Sequence, residues 1–124
     1  MKFLIMLYGN PTTREWWFAL SDAEQAEAAG GHFAITEALE ASGEMIHSEA
    51  LADPATGQRV TVTDARTMTT DGPFAEVKEY LAGFYLVDCE SRERAVEIAA
   101  QFPEASLGLV EVRPVLELGG GQEM

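Results

Sequence analysis

Residues 3–8 form an unbroken apolar run that stops at Gly9-Asn10-Pro11. A run without polar alternation predicts a strand covered on both faces, and so a central one. Ser21 then precedes Asp22-Ala23-Glu24, the spacing at which a hydroxyl and a carboxylate each satisfy a backbone amide left open at a helix start. From there Ala28, His32, Ile35 and Leu39 recur on one helical stripe, and Gly43 can take the left-handed conformation that ends a helix. Gly30-Gly31 inside that helix costs roughly 1 kcal/mol per glycine relative to alanine, which predicts a close contact or a kink at the pair.

Residues 44–51 alternate, with Met45, His47, Glu49 and Leu51 on one side and Ile46, Ser48 and Ala50 on the other, the pattern of a strand with a partly polar face. Asp53-Pro54-Ala55-Thr56-Gly57 is a turn, and the β-branched, polar stretches around Val60, Val62 and 66–70 predict an exposed hairpin. Residues 81–87 repeat the apolar strand pattern, and Ser91 caps a helix whose stripe is Ala95, Ile98, Ala99 and Phe102, halted by Pro103. Residues 107–112 then close the sheet, with Arg113-Pro114 ending the strand. Strand-helix-strand therefore occurs twice, over 3–51 and 81–112. Right-handed crossovers bring the two units into one antiparallel sheet with both helices on one face, an α+β, ferredoxin-like (βαββαβ) fold with an extra hairpin. One domain over 1–118 and a loose tail over 119–124 are expected. The uncovered sheet face predicts a homodimer.

Composition narrows the function classes. The 124-residue chain is 47% apolar and carries a formal charge of −13, which predicts a folded domain that repels nucleic-acid phosphates and anionic membrane surfaces. Cys89 is the single cysteine, so no internal disulfide is possible, and the start of the chain turns polar too soon for a signal peptide. No apolar run approaches the roughly 20 residues of a spanning helix. A cytoplasmic location is expected.

Chemistry concentrates at few places. His32 lies on the apolar stripe of its helix: either a buried, satisfied histidine, or a general acid or base whose pKa a nearby carboxylate holds near neutrality. Asp71-Gly72-Pro73-Phe74 is a turn in which glycine and proline restrict the backbone in opposite ways, which sets the direction of Asp71 and Phe74. Its bland reading is a stiff turn with Phe74 anchored in the core and Glu76, Lys78 and Glu79 in solvent. Trp16-Trp17-Phe18, with Tyr8 and Phe84, suits either a small-molecule pocket or an interface. His32 and His47 lack a compact ligand spacing, so no metal is expected. Gly119-Gly120-Gly121 precedes no helix, so no nucleotide or other cofactor is expected.

Asp71-Gly72-Pro73-Phe74, followed by Glu76, Lys78, Glu79 and Gly83-Phe84-Tyr85 and ending in Val110-Glu111-Val112-Arg113-Pro114, resembles the DGPF group of YCII-related proteins from the first residues to Pro114. The resemblance implies a ferredoxin-like fold and a dimeric α+β barrel-like assembly, as in muconolactone isomerase-like proteins. It also implies company with extracytoplasmic-function sigma factors. The wider group carries a helix histidine and an aspartate before a proline as a catalytic pair. His32 fits the histidine, whereas the residue before Pro103 is Phe102, so Asp71 or Glu49 is expected as the replacement partner. Two functions stay open. One is an isomerase- or lyase-like enzyme using His32 with Asp71 or Glu49, with Tyr8, Trp17, Phe74, Glu76, Lys78 and Phe84 as ligand contacts. The other is a non-catalytic ligand-binding or regulatory partner protein.

Overall fold

The structure, a computed structural model, describes residues 1–72 and 78–117. Its elements are β1 (Lys2–Gly9), α1 (Pro11–Ala19), α2 (Asp22–Ser42), β2 (Met45–Ala50), β3 (Gln58–Thr63), β4 (Arg66–Asp71), β5 (Tyr80–Asp88), α3 (Arg92–Ala99) and β6 (Val110–Pro114), with short 3₁₀ segments at Pro54–Thr56 and Pro103–Leu107. The apolar β1 is central as its sequence predicts, in an antiparallel sheet ordered β2-β5-β1-β6. Registers Ile5↔Tyr85 and Phe3↔Val87 put Phe3, Ile5, Leu7, Tyr85 and Val87 on one face. Ile35 and Leu39 of α2, Ala95, Ile98 and Ala99 of α3, and Phe102 pack against them to form the core. The protein is thus a mixed α+β domain with its helical layer on one side of the sheet.

The ends of α2 follow the sequence. Ser21 Oγ accepts from the Glu24 amide at 3.2 Å, Glu24 Oε1 accepts from the Ser21 amide at 2.9 Å, and Gly43 closes the helix at φ +81°. The glycine pair departs from expectation. A Cβ on Gly30 would meet nothing within 4 Å, one on Gly31 would meet only Pro103 Cγ at 3.9 Å, and α2 runs unbroken past both. Nothing in the structure explains Gly30.

Three further departures have local causes. Residues 107–109 do not join the last strand, because Pro103–Leu107 is a 3₁₀ segment and Gly108 turns at φ +71° before β6 starts at Val110. A bulge between Met45 and His47 splits the expected alternation: Met45 faces Val87 and the core, while His47 faces Leu86 on the opposite side. The hairpin β3–β4 is a separate two-stranded sheet with Val60, Val62 and Met68 exposed, turning through Asp64 (φ 50°) and Ala65 (φ 62°). That paired left-handed turn matches the strand twist, although its second position more often holds glycine. Among the described residues no helix is long and apolar enough to cross a membrane.

Candidate functional site

A cleft of about 1120 Å³ lies between α1, the adjoining end of the sheet and α2. Its walls are the end of β1, α1, the Ala28-to-His32 part of α2, the β2 end and following loop, the start of β5, and the Pro103–Leu107 segment. Gly9 makes room for one wall residue: the Tyr80 ring lies where a side chain there would stand, with the hydroxyl 2.6 Å from an added Cβ. A second hollow of about 330 Å³, between α3 and β6, is lined by Val96, Ala99, Ala100, Ala105, Val110 and Val112, without a titratable group.

Two charged pairs stand in the cleft wall, His32–Glu104 and Arg14–Asp53, and the first holds the histidine. His32 Nε2 lies 2.7 Å from Glu104 Oε1 and 2.8 Å from Oε2, with both side chains under one-third exposed. Each partner is placed by an element end. His32 sits on the α2 stripe one turn before Ile35 and Thr36, and Pro103 starts a turn that brings Glu104 under the helix. The imidazole stacks on buried Phe102, centroids 5.7 Å apart at 29°, and Phe102 packs on Tyr85 at 4.7 Å. Thr36 Oγ1 donates to the His32 carbonyl at 2.9 Å, which spends its single proton, so Tyr85 is the donor in the 3.1 Å contact between the two hydroxyls. The hydrogen bond to Glu104 raises the His32 pKa, partial burial opposes the rise, and the carboxylate's charge adds to it.

This corrects the expected partner. The carboxylate on His32 comes from Glu104, just after Pro103, rather than from Asp71 or Glu49. Asp71 is on the β3–β4 hairpin, where it accepts a long 3.4 Å contact from Gln58 Nε2, and it does not line the cleft. Glu49 lines the cleft but contacts His47 Nε2 at 3.2 Å. The register Glu49↔Phe84 beside Ser48↔Tyr85 turns the Glu49 side chain to the face opposite the helices. Reading outward from Pro103 for the nearest carboxylate, instead of only the preceding residue, would have found Glu104.

The other expected contacts divide. Trp17 and Phe84 line the cleft with His32. Tyr8 lines it as well, but its hydroxyl donates to Glu111 Oε1 at 2.9 Å, and burial first, then Glu111, raises its pKa. The Phe84 ring lies 6.2 Å from His47. Lys78 is exposed and is not among the cleft-lining residues, and Phe74 and Glu76 lie outside the described residues.

Sequence reasoning missed α1. Asn10 caps it, its Oδ1 accepting from the Thr13 amide at 2.9 Å while Thr13 Oγ1 accepts from the Asn10 amide, and Pro11 follows as the first helical residue. Arg14 then reaches across to the loop after β2, with Nε to Asp53 Oδ1 at 2.6 Å and Nη2 to Oδ2 at 2.9 Å. The guanidinium also lies 5.0 Å from the Phe18 ring centroid. This two-bond contact holds the Asp53 pKa below, and the Arg14 pKa above, their ordinary values.

An α+β domain with a helix histidine held by a carboxylate at the wall of an aromatic cleft is the class the geometry defines. The chain belongs to the YCII-related domain family, whose model matches residues 1–119. It is also similar to the uncharacterized protein R00369 of Rhizobium meliloti (strain 1021), with 51% identity over 51 residues, 40% of this chain. The match spans 41% of that relative's length.

Proposed function

We propose that the cleft binds a small organic molecule and that His32, held by Glu104, exchanges a proton with it, as in an isomerase- or lyase-like reaction. The observation that carries this reading is the contact of both Glu104 oxygens with His32 Nε2, at 2.7 and 2.8 Å, in the wall of the cleft. The carboxylate orients the ring and stabilises the imidazolium, and the neutral ring donating Nε2–H to it keeps its lone pair on Nδ1. A raised pKa enlarges the protonated fraction at neutral pH, so His32 is poised first as a proton donor.

The same raised pKa leaves less of the neutral, proton-accepting ring at neutral pH, which favours a second reading, binding without turnover. The strand order β2-β5-β1-β6 supports the ferredoxin-like assignment, and the Asp71-Gly72-Pro73-Phe74 and Val110–Pro114 segments support the DGPF group. A metabolite thermal-shift screen of wild type and His32→Ala tests the site, because a ligand at 100 times its Kd adds about 2.7 kcal/mol. A stabilising compound that wild type converts and Glu104→Gln does not establishes the enzyme. Binding lost in His32→Ala with no product establishes the second reading, and no stabilising compound argues against the cleft.

A further inference from the structure

We propose that the cleft selects ring compounds carrying an ammonium group, docked on Glu104, and rejects their carboxylate counterparts. This rests on the small-molecule reading above and adds the charge of the ligand. The chain has eight basic side chains, and the segments outside the described residues, 73–77 and 118–124, contain none of them. Among the cleft-lining residues Arg14 alone is a lysine or arginine, and its guanidinium is bound through two nitrogens to Asp53.

Two other devices that hold anions are engaged: His32 Nε2 faces both oxygens of Glu104, and at the start of α1 the Thr13 amide is taken by Asn10 Oδ1 while Pro11 has no amide hydrogen. A carboxylate entering the cleft would therefore lose its hydration beside Asp53 and Glu104 without gaining an unpaired lysine or arginine from the lining, in a molecule of charge −13. An ammonium meets the reverse situation. Each carboxylate oxygen can accept more than one hydrogen bond, so Glu104 can receive an N–H while it holds His32. Trp16, Trp17 and Tyr80 add aromatic faces that attract cations.

Isothermal titration with three compounds sharing one ring system tests the proposal: tryptamine, tryptophol and indole-3-propionate, at neutral pH and low salt. The expected order of affinity is tryptamine, tryptophol, indole-3-propionate, with about tenfold or more between the first and the last. That gap should narrow as salt rises. Glu104→Gln should lose most of the tryptamine advantage while still binding tryptophol, whose binding reports an intact fold. Indole-3-propionate binding as tightly as tryptamine, or a tryptamine Kd unchanged in Glu104→Gln, overturns the charge selection and leaves the cleft reading standing. Failure of all three to bind at millimolar concentration overturns the charge selection of ring compounds, whereas the cleft reading falls only if the metabolite screen also yields no stabilising compound.

Discussion

His32 couples the site to pH. Its pKa lies above the ordinary 6.5 because Glu104 hydrogen-bonds it, so folding is favoured by the proton it carries. The sign follows: the contribution is fully present below pH 6.5 and is lost as pH rises through the folded-state value. Asp53 and Glu44 act in a different window. Arg14 lowers the Asp53 pKa and Arg94 lowers that of Glu44, so their contributions are present above the ordinary carboxylate values and disappear as pH falls through the lowered ones. Urea melts of wild type and Glu104→Gln from about pH 5.5 to 8.5 read the histidine window alone, because the lowered carboxylates stay ionised throughout that range. Wild type should lose stability relative to Glu104→Gln as pH rises, and parallel curves would show that the pair is uncoupled from folding. Of the residues in the site, His32 was legible as a polar group on an apolar stripe. Its partner was not, because Glu104 is one carboxylate among twenty-one acidic residues until the turn at Pro103 brings it under α2.

At the scale of the element, α1 and α2 contrast. The second helix is written in its sequence by a reciprocal cap, an apolar stripe and a terminal glycine. Ser21→Ala should cost about 1 kcal/mol, readable as a lower urea midpoint at an unchanged slope. The first helix has no buried residue, so it leaves no stripe to read, and its signal is confined to the Asn10-Pro11 start and Thr13. What attaches it to the body is the Arg14–Asp53 pair and the Gln25 Nε2 bond to the Trp17 carbonyl at 3.0 Å. Asp53→Ala should therefore speed amide hydrogen exchange in α1 severalfold while leaving β1 and β5 protected. Unchanged exchange in α1 would mean that other contacts hold the helix over the cleft. The late start of β6 has a similar origin, since an apolar run reads alike as strand or as the packed 3₁₀ segment that places Glu104.

On the molecular scale, the sheet face away from the helices bears on assembly. Leu4, Met6, Phe84 and Leu86 share that face by register, interspersed with His47, Glu49, Glu111 and Arg113. The hairpin exposes Val60, Val62 and Met68 as well. A two-stranded hairpin without a covered face is marginal in water, and apolar groups on an open sheet are commonly hidden by a second copy. We propose that the protein is a homodimer joined through this face. Light scattering after size exclusion should give twice the mass of 13.5 kDa, and Leu86→Glu, at the centre of the face, should shift it to the monomer. A wild-type monomer at micromolar concentration would rule the assembly out.

The central strands, α2 with its cap and stripe, α3 with its stripe, the exposed hairpin and the histidine were readable from the chain alone, since each depends on periodicity or a cap within one segment. Only the tertiary structure decided which carboxylate meets His32, where Glu49 turns, and that α1 closes one side of a cleft. Those outcomes depend on a turn at Pro103, a bulge between Met45 and His47, and an ion pair linking positions 14 and 53. Contacts between residues far apart in the chain leave no local period, so they become visible only once the elements have packed.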